Sequence, residues 1–281
     1  MATLIWTGGE SATTKTFMTA ANWGGTAPTN DDTLIINSSS DTIGGAATGL
    51  TGITFRVGSG FTGTIGSSTT HLDLDGPLCE FASGGTAAYL TGTWTNFRIT
   101  GGSASPLFLN LKGNASTAIT TLLASRLSGT VTVGSSAAVT TVQMNGSNVG
   151  TIDLASSITG LANISVTEGT IACASTISGT ASVIGGTLRT SGTSAYPTIE
   201  IDTDGSCDYR SSGTVTTLNI FDGVFTSRDN ETAGFTITTA NNYSGGRLLL
   251  DSALNNATVT NPISMLGGDA SFAVGSTISL G

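Results

Sequence analysis

Glu168-Gly169-Thr170-Ile171-Ala172-Cys173, Gly185-Gly186-Thr187-Leu188-Arg189-Thr190, Asp204-Gly205-Ser206-Cys207-Asp208-Tyr209 and Asp222-Gly223-Val224-Phe225-Thr226-Ser227 are variants of one phrase. In the first three a glycine is followed by a polar residue and then an apolar one, and in the fourth Val224 takes the polar place before Phe225. The phrase extends in both directions, with its glycine at Gly129, Gly150, Gly169, Gly186, Gly205, Gly223, Gly246 and Gly268, at spacings of 17 to 23 residues. Two positions after each glycine stand Val131, Ile152, Ile171, Leu188, Cys207, Phe225, Leu248 and Ala270. Four positions after stand Val133, Leu154, Cys173, Thr190, Tyr209, Ser227, Leu250 and Phe272. Apolar residues two apart with Thr, Ser, Asp or Arg between them mark a strand with one buried face. Repetition about every twenty residues marks a solenoid in which each repeat adds one rung. The sequence therefore predicts an all-β, right-handed parallel β-helix of about 20 residues per rung. A β-sandwich or jelly-roll is the alternative, since it also shows short strands and frequent turns.

Composition agrees. Only 10% of the 281 residues are charged, against roughly 25% in typical soluble proteins. Polarity is supplied mainly by Ser, Thr and Asn, and 39 residues are Gly. Thr suits a pleated, half-exposed surface and Gly suits sharp corners. A hydrophobic content of 38% with a net charge of only -9 favours a buried core over disorder. Nine Lys and Arg residues in an acidic chain cannot neutralise an extended phosphate run, so no nucleic-acid partner is expected. Cys79, Cys173 and Cys207 show neither a CxxC spacing nor an even count, and they read as small buried hydrophobes rather than disulfide or zinc ligands. No apolar stretch reaches the roughly 18 residues of a membrane span. The start, Met1-Ala2-Thr3-Leu4-Ile5-Trp6, lacks the basic and apolar regions of a signal peptide. A protein outside the membrane, assembled in a reducing cytoplasm, is the expectation.

Three segments differ in texture. Residues 1–45 carry two of the three tryptophans and read as an N-terminal cap or docking segment, because a solenoid exposes an unpaired edge that needs a distinct end. Within it Leu4 to Trp6 and Thr33 to Ile36 read as strands, and the spacing of Phe17, Met18 and Ala21 admits a helix over 11–21. Residues 46–128 hold strand-like pieces of uneven spacing, at Ile53 to Val57, Leu72 to Leu74, Trp94 to Ile99 and Leu107 to Leu109. Residues 129–281 form the regular β-helix. Eight rungs at about 4.8 Å give that part a length near 40 Å.

Few residues offer chemistry. Asp204 and Asp222 immediately precede repeat glycines and stack about one strand spacing apart. Such a pair could be turn residues, a cation site or the two carboxylates of a retaining glycosidase. Asp-Gly is the dipeptide that a turn with positive φ demands, and that reading is preferred. Glu200, Asp202 and Asp204 share one outward strand face, as do Asp73 and Asp75. Only Tyr209 and Arg210 stand ready beside the first group to stack on or pair with a substrate. His71 is the sole histidine, and no Gly-x-Ser-x-Gly elbow accompanies it; it reads as a surface residue. Trp6, Trp23 and Trp94 read as cap core or interface anchors rather than sugar platforms. No enzyme activity, cofactor or metal is expected.

The segment Ile5-Trp6-Thr7-Gly8-Gly9, Ala20-Ala21-Asn22-Trp23-Gly24-Gly25, Pro28, Asp31-Asp32 and Leu34-Ile35-Ile36 resembles a motif of two groups. One is the autotransporter-associated β-strand repeat of bacterial surface proteins. The other is a set of bacteriophage virion β-helix proteins that includes capsid decoration (cement) proteins and fibres. With no export signal or membrane barrel in evidence, the resemblance points to a phage virion structural protein. Because the shaft fills nearly the whole chain, it points further to a decoration protein on the outer capsid surface. It implies a homotrimer, the major capsid protein as partner, and Trp6, Asn22 and Trp23 as capsid-docking or cap residues. The competing classes are a tailspike or fibre adhesin that binds or cleaves host glycan, and a bacterial cell-surface structural protein. An outward aromatic and carboxylate cluster across adjacent rungs would distinguish the adhesin.

Overall fold

The structure is a computed structural model that describes residues 1–44, 49–82, 87–100, 107–109, 118–134, 137–156, 158–230, 234–251, 257–272 and 276–278. The fold is an all-β, right-handed parallel β-solenoid with repeats of about 20 residues and an N-terminal cap. Every ladder between the named strands is parallel, which rules out the antiparallel sandwich or jelly-roll. The chain divides into two compact units, Met1–Val139 with Ser147–Ile152, and Thr140–Gly146 with Asp153–Gly281.

In the first unit one sheet runs in the order Thr3–Ile5, Thr33–Ser39, Thr54–Phe61, Gly76–Phe81, Thr93–Ile99 and Ala118–Ala124. The other runs Thr14–Thr16, Thr42–Gly44, Thr64–Ile65, Ala88–Thr91, Leu107–Leu109 and Thr130–Val133. The chain alternates between the two, so each coil lays one strand on each sheet. In the second unit the long-strand sheet passes from 141–144 through Asn163–Val166, Thr180–Ile184, Tyr196–Asp202, Thr214–Ile220 and Thr236–Tyr243 to Thr258–Val259 and Ser264–Leu266. Its short-strand sheet passes through Thr170–Cys173, Thr187–Thr190, Gly205–Asp208, Gly223–Thr226, Gly246–Leu250 and Asp269–Phe272.

The glycine phrase is the corner between a long strand and the short strand that follows it. Gly205, Gly223 and Gly246 lie directly in register. Gly223 adopts φ +119, and a Cβ there would collide with the carbonyl of Gly205 in the coil before. The column is glycine because two main chains pass too close for a side chain; the positive φ of the corner falls on Gly223 in its own coil and on the preceding residue, Asp204 or Gly245, in the coils beside it. The residues two and four positions later point inward and are buried from Val131 through Leu250, including the polar Thr190 and Ser227. Thr190 offsets its burial by accepting the N–H of Arg210 at 2.9 Å. At the opposite corner small polar side chains line up inside. The Ser211 hydroxyl donates to the carbonyl of Ser194 (2.8 Å), and the Asn230 amide donates to the carbonyl of Ser211 (3.0 Å). Return-loop carbonyls that the sheets leave over are satisfied in this way.

The helix admitted over 11–21 is not formed. Thr14–Thr16 is a strand paired with Thr42–Gly44, and only Ala20–Trp23 makes a single 3-10 turn, ended by Gly24 in the left-handed conformation. Pairing to the next coil overrides the helical spacing of Phe17, Met18 and Ala21.

Candidate functional site

The cap is built from the residues that carry the resemblance. Trp6, Phe17 and Trp23 pack edge and face against one another, with the Trp6–Trp23 ring centroids 5.0 Å apart and Phe17–Trp23 5.2 Å apart; Phe55, two coils on, closes the cluster at 6.0 Å from Phe17. Both indole N–H groups are satisfied, Trp6 by the Asp41 carboxylate at 2.9 Å and Trp23 by the Phe17 carbonyl at 2.5 Å. Asn22 is fully buried and links three parts of the cap. Its side chain donates to the Glu10 carboxylate (3.0 Å) and the Thr16 carbonyl (2.8 Å), its side-chain oxygen accepts the Glu10 N–H (2.9 Å), and its main-chain carbonyl accepts the Thr7 N–H (2.7 Å). Lys15 adds its ammonium to the Glu10 carbonyl. The side chains of Trp6, Asn22 and Trp23 therefore lie inside the cap.

The cap carboxylates are tuned by the same bonds. The Thr16 N–H, helped by the Asn22 amide, holds Glu10 below its ordinary range. Burial pushes Asp32 upward, but hydrogen bonds from the Ala2 and Thr29 N–H groups and the Thr29 hydroxyl outweigh it and leave the carboxyl lowered. Asp41 behaves alike, with Ser39 and Trp6 overcoming burial. On the outside of the cap, Ile5 and Ile35 stand side by side in register, and Ile5 is 51% exposed. The alternation around Trp6 could have revealed this outward apolar pair, which the sequence reading passed over.

The remaining candidates separate. Asp204 sits in a left-handed corner with φ +63, preceded by Thr203 at φ +40, and Asp222 occupies the equivalent corner one coil later with its carboxylate against Gly245. Both are exposed turn residues. Glu200 and Asp202 face outward, as alternation required. Tyr209 does not stand beside them. It is buried, packs on Phe225 and Phe235, and donates its hydroxyl to the Gly213 carbonyl at 2.8 Å. Its position four residues after Gly205 points it into the core, and burial raises its pKa. His71, expected on the surface, is buried edge-on to Tyr89 at 5.7 Å. Asp73 is half-buried, and burial together with neighbouring Asp75 raises its pKa. All three cysteines are free and buried.

Positive charge is confined to one side of the second unit. Its basic residues are Arg189, Arg210, Arg228 and Arg247, each within or just after a short strand. Arg189 and Arg210 converge on Asp208 at 3.2 and 2.6 Å, Arg210 reaches Asp229 at 3.0 Å, and Arg228 forks onto Asp251 at 2.6 and 2.8 Å. The long-strand side carries Glu200, Asp202, Asp204 and Asp222. There Phe221 and Tyr243 of neighbouring coils stack at 4.8 Å and 20°. An outward aromatic pair thus stands beside carboxylates of adjacent coils.

The long strands also repeat a phrase that period-two reading missed. Ile119-Thr120-Thr121-Leu122 in the first unit, and Val215-Thr216-Thr217-Leu218 and Ile237-Thr238-Thr239-Ala240 in the second, place an outward Thr pair between two inward residues. The pair breaks strict alternation, so it is visible only as a recurring Thr-Thr.

No protein-family model, no curated protein and no solved structure matches the chain. Among the described residues no helix is long and apolar enough to cross a membrane, and no three His, Cys, Asp or Glu side chains gather as a metal site.

Proposed function

We propose that this protein is a bacteriophage virion component, a decoration (cement) protein that binds the outer capsid surface and stabilises the head without catalysing a reaction. The observation that carries the reading is the cap. The residues by which the N-terminal segment resembles phage virion proteins are the ones that interlock in the cap, and that supports the reading. Within each unit the described strands are hydrogen-bonded to their neighbours in parallel ladders, and stiffness of that kind suits a part that bridges capsid subunits. Since Trp6 and Trp23 are internal, the capsid contact falls to the apolar pair outside them, Ile5 and Ile35.

In this reading the working form is a homotrimer whose partner is the major capsid protein, and its location is the virion exterior. Sedimentation of the purified chain with assembled capsids tests it. The expected result is a trimer in solution that pellets with capsids, and an Ile5→Asp chain that stays folded but pellets at least about tenfold less, as loss of a central apolar contact predicts. A monomer with no affinity for capsids would refute the reading. The adhesin alternative is favoured by one observation, the Phe221–Tyr243 stack beside outward carboxylates.

A further inference from the structure

The outward column at the end of the long strands in the second unit reads Ile184, Asp202, Phe221, Tyr243, Leu266. Ile184 is in register with Asp202 and Tyr243 with Leu266, while the Phe221 N–H bonds the Ile201 carbonyl at 2.8 Å and so sets Phe221 beside Asp202. With neighbouring strands about 4.8 Å apart, the main chains of Ile184 and Phe221 are about 10 Å apart. Between them stands a short carboxylate. The result is a notch with two apolar walls and a polar floor, and each wall is 39% exposed.

The walls are oriented. Phe221 lies nearly parallel to Tyr243, so one ring face is covered and the other is turned toward Asp202 and Ile184. Asp202 is too short to cover that face. One Asp202 oxygen accepts the Thr203 N–H (2.9 Å) and hydroxyl (3.3 Å), which anchors the carboxylate and leaves its second oxygen without a hydrogen bond. Two residues back along each strand runs a parallel column of hydrogen-bonding groups, Ser182, Glu200, Asn219 and Asn241, in register. The Asn241 side-chain amide donates to the side-chain oxygen of Asn219 at 2.9 Å, which fixes the pair.

We propose that this notch binds one neutral pyranose ring of a glycan. The ring's C–H face lies on the open face of Phe221 with Ile184 behind it. Its hydroxyls donate to Asp202 and Glu200 and bond the Asn219 amide. The width suits a single saturated ring between two apolar surfaces, and the floor and flank supply the acceptors that ring hydroxyls need. Charge selects within the class. The notch carries carboxylates and no cation, and every basic residue of the second unit belongs to the short-strand side, so uronic and sialic acids are repelled. The proposal does not depend on capsid binding.

Saturation-transfer NMR on the full chain tests it, with maltohexaose, cellohexaose and N-acetylchitohexaose as neutral probes and oligogalacturonate as the acidic one. Transfer to at least one neutral probe and none to oligogalacturonate is expected. Phe221→Ala and Asp202→Asn should each weaken the binding about fivefold to tenfold, with Phe272→Ala as an unaffected control. Circular dichroism verifies each fold, and the near-isosteric Asp202→Asn serves if Phe221→Ala does not fold. Absence of transfer from all three neutral probes overturns the proposal, as does transfer that survives both substitutions or favours the acidic probe. Displacement of the sugar by calcium would mark a cation site instead and also overturn it.

Discussion

The first coil and the coil Asp269–Phe272 both place large apolar residues at inward positions, yet only the first coil buries them. Phe17, at the cap, is fully enclosed by Trp6, Trp23 and Phe55. Phe272, in register with the buried Leu250, is 40% exposed. Met265 on the adjoining strand, in register with the buried Asn242, is exposed as well. An inward-pointing rotamer is therefore not enough to bury a residue in a solenoid, because each rung is covered by its neighbours. At the cap a folded-over segment with its own hydrogen bonds supplies the missing neighbour. Among the described residues, Asp269–Phe272 pairs with Gly246–Leu250 alone.

The comparison predicts unequal costs. Trp23→Ala should be the most damaging change, costing the first unit about 3–5 kcal/mol in denaturant unfolding followed by fluorescence, because it opens a cavity among three aromatic rings. Asn22→Leu should follow at about 1–3 kcal/mol, since it strands the Glu10 N–H and the Thr16 carbonyl inside the cap. Phe272→Ala should cost only about 1 kcal/mol, as a partly exposed ring surrenders only part of its burial energy. A Phe272 cost equal to that of Trp23 would mean that the last coil is covered as fully as the first.

Acid should loosen the cap selectively. Asp32 and Asp41 have folded-state pKa values below those of the unfolded chain, which lie near 3.9. Their contribution is therefore complete above about pH 4 and drains as the pH falls through the folded values. Tryptophan fluorescence should report this loosening before the far-ultraviolet signal of the strands changes. Asp73, whose pKa is raised, has the opposite sign and contributes only while it is protonated. The smallest effect belongs to Arg228→Ala. Its pair with Asp251 is exposed, so the unfolding midpoint should barely move, and less in salt.

Half of each rung was legible in the sequence. The glycine phrase located the short strands and their inward residues because that sheet obeys period two and its corner demands glycine. The long strands of the same coils were hidden, since Thr216-Thr217 and Thr238-Thr239 put two outward residues together and defeat an alternation template. Asp204 and Asp222 were readable as corners because Asp-Gly carries backbone information. Tyr209 was misplaced beside the carboxylates, although its place in the repeat already pointed it inward. His71 was taken for a surface residue because a lone histidine carries no local signal of burial. The notch between Ile184 and Phe221 depends on which residues of three successive coils share a register, and unequal loop lengths conceal that from the sequence.

A decoration protein sits on the capsid exterior, and its place on the virion can be seen directly. Gold-labelled antibody against the purified chain, imaged on intact virions by electron microscopy, should decorate the head surface in a regular array. Label confined to the tail tip, or absent from virions altogether, would contradict it.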